Sequence, residues 1–222
     1  MRGIYNSAPP KPRYSYTWDI NQVLNYFSDQ INSSLILADL AIKTVTLLAL
    51  ATMLRCAEIS VISFHSIKFS QGAVSFRLLR PRKTQRSGPN KSISVRKLSD
   101  DRICPVMFLE AYLTATAWLR RQEDLSLFIA TLRPHKAIGV STVGRWIKNG
   151  LRAAAIDVSV FSAHSTRGAG ASGVPVESIL KRASWASSST FSRFYNRSVG
   201  SRSQAQGRPN AAWTELWQPQ VE

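Results

Sequence analysis

His164 and Arg167 stand three residues apart in Ala163-His164-Ser165-Thr166-Arg167. That spacing puts both on one face of a helical turn, where both can address the same anion. Downstream come Trp185 and, in Phe194-Tyr195-Asn196, Tyr195, whose hydroxyl is a nucleophile that needs no metal. In a chain of formal net charge +16, the first anion to consider is a phosphodiester of DNA.

Cutting a phosphodiester without a metal sets three requirements. Charge on the non-bridging oxygens must be neutralised, a nucleophile must be aligned, and the leaving oxygen must receive a proton. Guanidinium groups, planar and permanently charged, serve the first need. Arg167 is one candidate and Arg55 the other, with Glu58 three residues on able to hold Arg55 in one rotamer through an ion pair. His164 can donate to phosphate or accept the tyrosine proton, and Trp185 offers one indole N–H that cannot lose its proton. Lys83, in Arg80-Pro81-Arg82-Lys83-Thr84-Gln85-Arg86, can enter a groove and protonate the departing 5′ oxygen. Phosphate contacts are expected from Arg80, Arg82, Arg86 and Lys91, extended by Arg145, Lys148 and Arg193. Each residue also has a plainer reading. His-x-x-Arg is often a solvated helix face, Arg55 a cation at a helix C-terminus, Trp185 core, Tyr195 packing beside Phe191 and Phe194, and the basic tip a phosphate clamp only.

The elements that must position these residues are visible as periodicities. After Thr17, read as an N-cap, Ile20, Val23, Leu24, Phe27 and Ile31 recur at helical spacing. The window Leu35 to Leu54 reads as a buried helix ended by Arg55. Asp39 and Lys43 inside it argue against a membrane span. Val74, Phe76 and Leu78 alternate with Ala73, Ser75 and Arg77, and Ile93 and Val95 alternate after Gly88-Pro89-Asn90. Two alternating runs around a polar loop give a β-hairpin over about 73–98. Pro105 opens a helix at its first position, carried by Val106, Leu109, Leu113 and Trp118. Ser141 or Thr142 is placed to cap another through Val143, Ile147 and Leu151, and short helices follow Phe161. The expected fold is mixed α/β, mainly helical, with a small antiparallel sheet.

Composition closes off other classes. A chain of 222 residues with 44% apolar residues holds a real core and is no disordered basic tail. Lys and Arg total 29 against 13 acids, which points to nucleic acid before an anionic membrane; no basic amphipathic helix supports the membrane. Cys56 and Cys104 lack CxxC partners and read as buried free thiols of a reducing compartment. His65, His135 and His164 have no metal-ligand spacing, so no metal or cofactor is expected. The start Met1-Arg2-Gly3-Ile4-Tyr5 has no signal-peptide core, and an intracellular, DNA-associated location is expected, the nucleus in a eukaryote.

Taken in order, Arg55 with Glu58, Lys83 in a hairpin, His164-x-x-Arg167, Trp185 and Tyr195 resemble the catalytic set of the tyrosine recombinase (phage integrase) family. The wording resembles most the recombinases of eukaryotic mobile elements, DIRS-type retrotransposons and Cryptons. It is carried by Pro9-Pro10-Lys11-Pro12 with Tyr16-Thr17-Trp18-Asp19, Ile103-Cys104-Pro105-Val106, Ala163 to Arg167, and Ser189-Thr190-Phe191-Ser192-Arg193-Phe194-Tyr195, and the similarity runs from Pro9 to Ser198. The resemblance implies that Tyr195 attacks the scissile phosphate, leaving a 3′-phosphotyrosyl link and a free 5′-hydroxyl. Arg55, Arg167 and His164 steady the transition state, Lys83 is the general acid, and Trp185 takes a position that is often His.

The same resemblance implies a linker-like arm over 1–16 with a core-binding domain missing ahead of it, a catalytic domain over 17–198, and a C-terminal tail over 199–222. It also implies a homotetramer on double-stranded DNA. Trp213 and Trp217, four apart, suit either a docking helix for a neighbour or a tail folded on its own core. The segment Gly168 to Val174 is about one helical turn shorter than the family's, a shift of about 5 Å. Two further readings therefore stay open: an inactive or truncated basic DNA-binding remnant of a mobile element, and DNA relaxation like that of type IB topoisomerases.

Overall fold

A computed structural model describes residues 13–30, 34–82, 90–171, 174, 199 and 210–217. The element that organises the core is α2 (Leu37–Thr52), preceded by α1 (Ile20–Asp29) and followed by the short α3 (Cys56–Ile59). Residues buried on α2 run almost without interruption from Leu40 to Thr52. A helix apolar on every side must be enclosed, and here α4 (Pro105–Thr116) and α5 (Val140–Ala153) pack on it. Even Lys43 is inside: its ammonium donates to the Phe27 carbonyl (2.5 Å) and lies 4.1 Å from the ring centre of Phe108. Burial lowers its pKa to about 8, with Asp100 opposing. The lysine thus ties the last turn of α1 to α2, where the chain's own carbonyls lack helical partners.

The sheet has three antiparallel strands in the order β1 (Lys68–Ser70), β2 (Ala73–Phe76), β3 (Ile93–Arg96). Val74 sits opposite both Phe69 and Val95. The hairpin expected over 73–98 is present; β1 was not expected, because Lys68-Phe69-Ser70 is exposed throughout and shows no buried face. Leu78 falls outside β2 and pairs singly with Ile62. Residues 211–217, α7 (Ala211–Thr214) and a 3₁₀ turn, lie on the chain's own body. Trp213, Leu216 and Trp217 are buried there, and the Glu215 carboxylate accepts from the Ser99 N–H (2.9 Å) and hydroxyl (2.6 Å).

Several local expectations need correction. The cap of α1 is Asp19, whose carboxylate accepts the Asn21 N–H at 2.9 Å; Thr17 instead pairs its backbone with Val199. The helix after Ile138 begins at Val140 behind Gly139, so Ser141 and Thr142 lie in its first turn and do not cap it. Trp118 lies in a 3₁₀ turn beyond α4 and is 79% exposed, because the helix ends at Thr116 and its apolar stripe ends with it. Cys104 is buried as expected, whereas Cys56 is only half-buried. Ile31 lies outside the described residues.

Candidate active site

Arg55 reaches the site through a break in the chain. Met53 adopts a left-handed conformation (φ 53°) that ends α2, and its N–H donates to the Ala49 carbonyl. Arg55 is then extended and stands as the N-cap of α3. The expectation that Arg55 ends the long helix is therefore corrected, while its ion pair with Glu58 is present. Glu58 is the third residue of α3, and its carboxylate accepts from the Arg55 N–H (2.7 Å) and from the Arg55 Nη1 (3.2 Å). The same acid fills a helix-start hydrogen bond and fixes the guanidinium. A third group joins them. The Arg82 Nε lies 4.0 Å from Glu58 Oε1, and the Arg82 side chain is 12% exposed. Its pKa is lowered, first by burial and then by Arg55, with Glu58 opposing. Arg82 faces this cluster, while Arg80 and Lys91 on the same hairpin are exposed.

His164 and Arg167 come from the turn where Ala163–Ser165 (3₁₀) leads into α6 (Thr166–Ala171). The turn is held by Ser165 N–H to the Ser162 carbonyl (2.9 Å) and by the Thr166 hydroxyl to the Ala163 carbonyl (2.8 Å). Arg167 is 4% exposed. The two glycines of α6 weaken a helix in isolation, yet Gly170 answers a packing need: a Cβ there would meet the Leu50 carbonyl oxygen at 2.6 Å. α6 thus approaches α2 backbone to backbone, which carries Arg167 to the end of α2 from which Arg55 also emerges.

The electrostatics of His164 tie the two halves together. Its pKa is pushed down to about 4, first by loss of hydration and then by Arg167, Arg55 and Arg13, with Glu58 opposing. The residue as a whole keeps contact with solvent while these guanidinium groups act on its ring. Arg55, Glu58, His164 and Arg167 share one cationic neighbourhood although more than a hundred residues separate them. His164 also borders a groove of about 450 Å³ with Ser162 and with Arg145, Lys148 and Arg152 of α5. These three cations recur at i, i+3 and i+7, one face of the helix. Arg152, which donates to the Asn149 carboxamide at 2.9 Å, was missed in the sequence reading; extending the Arg145–Lys148 spacing by one turn finds it. Arg13 was also missed, and no local pattern would have found it. Lys83, Arg86, Trp185, Arg193 and Tyr195 lie outside the described residues.

No protein-family model matches the chain, and no curated protein is similar to it. Solved structures are similar to it in fold. A post-cleavage complex of the XerH site-specific recombinase with a palindromic difH substrate superposes with a TM-score of 0.59 at 14% identity, over 80% of this chain and 48% of that one. The XerA recombinase gives 0.58 at 18%, over 87% and 63%. A lambda integrase dimer bound to a COC′ core site gives 0.54 at 12%, over 95% and 55%. The chain spans about half the length of XerH. A mainly helical body with a small three-stranded antiparallel sheet, matched over most of its length by these proteins, has the catalytic-domain fold of the tyrosine recombinases.

Proposed function

We propose that this chain is a tyrosine recombinase catalytic domain that cuts and rejoins double-stranded DNA through a 3′-phosphotyrosyl intermediate. The observation that supports this most is the common environment of Arg55, His164 and Arg167 at the end of α2. Two guanidiniums that both act on one imidazole are suited to the charge of a pentavalent phosphorane. With its pKa near 4, His164 is neutral at pH 7, so its imidazole is free to accept a proton. In the reaction the Tyr195 oxygen attacks phosphorus as His164 takes the tyrosine proton. The P–O5′ bond breaks as Lys83 gives a proton to the leaving oxygen. Trp185 donates its indole N–H to a non-bridging oxygen, and Glu58 keeps Arg55 in place. Arg80, Lys91, Arg145, Lys148, Arg86 and Arg193 contact flanking phosphates. A homotetramer on paired sites, a mobile-element origin and a DNA-associated intracellular location belong to the same reading.

The test is a nicked suicide duplex incubated with the protein without divalent metal. A covalent protein–DNA adduct is expected, and Tyr195→Phe abolishes it; an adduct that persists in that variant refutes the nucleophile. Salt-sensitive DNA binding with no adduct from the wild type would make the chain a binding remnant. Relaxation of supercoiled plasmid with no recombinant product would make it a relaxing enzyme.

A further inference from the structure

The segment Arg13–Trp18, whose first four residues the sequence presents as the end of a linker-like arm, is seated on the residues that carry His164. The Tyr14 hydroxyl accepts the Ser162 N–H (3.1 Å) and shares a second hydrogen bond with the Ser162 hydroxyl (2.7 Å). The Trp18 indole N–H donates to the Ser165 hydroxyl (2.9 Å), and both partners are buried. These contacts bracket His164 on either side in sequence, two residues before it and one after. Phe161 wedges between the arm's aromatic rings, with its centre 5.5 Å from that of Tyr14 and 5.5 Å, edge-on, from that of Tyr16. Between them, the Thr17 backbone pairs with Val199, four residues after Tyr195 in sequence. The Arg13 guanidinium stacks on Tyr14, 5.7 Å from its ring centre.

A solvated linker has no need of three side-chain hydrogen bonds to the turn Ser162–Ser165. Each is worth only about 1 kcal/mol in stability, but two fixed points on one turn remove its freedom to swing. From this geometry we infer that Arg13–Trp18 is a strap belonging to the active site: Tyr14 and Trp18 are positioning residues for His164, and Arg13, stacked on Tyr14, is the cation of that strap. The catalytic part of this inference rests on the recombinase reading; the positioning of His164 does not. A base that must meet a tyrosine hydroxyl within hydrogen-bond reach is sensitive to such seating, since a misplacement of about 1 Å costs about a hundredfold in rate. The charged groups acting on the imidazole are Arg167, Arg55 and Glu58 besides Arg13, and Arg145, Lys148 and Arg152 line the groove beside it.

Two measurements on the full chain test the strap. The first follows the His164 ring by NMR across pH, its signal identified by its loss in His164→Asn. Arg13→Gln is expected to move the titration to higher pH, because a neighbouring positive charge is removed; an unmoved titration overturns the role of Arg13. The second measures adduct formation on prebound nicked duplex. Tyr14→Phe and Trp18→Phe are expected to slow it about ten- to hundredfold, with DNA affinity within about twofold of wild type because neither removes a phosphate contact. Cleavage at the wild-type rate in both variants, or a loss wholly accounted for by weaker binding, overturns the positioning role. If the wild type forms no adduct, the recombinase reading fails. The His164 titration in Tyr14→Phe then decides the strap alone: a shifted curve upholds it and an unshifted one refutes it.

Discussion

The imidazole of His164 is kept neutral by its surroundings, and that has a consequence for stability. Its folded pKa, about 4, lies below the ordinary 6.5. Between these values the unfolded chain binds a proton that the native protein does not, so the native state loses ground as pH falls through that window and nothing further below it. Urea midpoints measured at pH 7 and pH 4.5 should therefore fall further in the wild type than in His164→Asn; equal falls would show that the ring is not held neutral. On the proposed reading, a bound phosphodiester offsets part of the positive charge of these guanidiniums, which raises the pKa and prepares His164 to receive a proton at the moment of attack. Glu58 has the complementary task. Mostly buried between Arg55 and Arg82, it lets two guanidiniums approach each other without the full cost of like charges in a poorly hydrated place.

Helix α2 sets the positions of Arg55 and Arg167, because α6 rests on its last turns and α3 starts just beyond its end. The contact at Gly170 leaves no space for a side chain, the nearest atom being the backbone oxygen of Leu50, which cannot rotate away. Gly170→Ala is expected to destabilise the protein by about 1–3 kcal/mol through overpacking, read as a lower urea midpoint, and to reduce adduct formation by moving Arg167. Gly144→Ala inside α5, where a Cβ would meet only the Cys56 Sγ at 3.9 Å, is the control that is not expected to lower the midpoint. If both variants melt alike, the α2–α6 approach is not tight. Gly150 plays the same part between α5 and α2, where a Cβ would come 2.7 Å from the Thr46 hydroxyl. Such glycines look like helix breakers in a sequence, because what they accommodate is distant in the chain.

At the scale of the molecule the governing quantity is charge. A net +16 draws in polyanions from any side, but the groove beside His164 gives that charge a direction, with Arg145, Lys148 and Arg152 on one face of α5. Each phosphate contact contributes about −0.9 to the slope of log affinity against log salt on duplex DNA. Replacing all three by Ala should reduce that slope by between two and three and weaken binding about equally for all sequences, as titrations at several salt concentrations would show. An unchanged slope would place the DNA elsewhere. The tail adds a further layer, since the 3₁₀ turn after α7 packs on β3, with Trp213 and Trp217 buried.

The sequence by itself determined the helices with strong apolar periodicity, the hairpin, the first position of α4 at Pro105, and a set of residue types whose order matched a known catalytic set. Those features depend on neighbours within a turn or two, which a linear pattern records. Only the tertiary structure decided that Arg55 starts a helix and does not end one, that Arg82 faces inward toward Glu58, and that Tyr14 and Trp18 lie against the turn bearing His164. The last two depend on groups more than twenty residues away. A backbone reversal at Met53 or a hydrogen bond from Trp18 to Ser165 leaves no periodic trace in the chain, because its physical cause is the packing of one element on another.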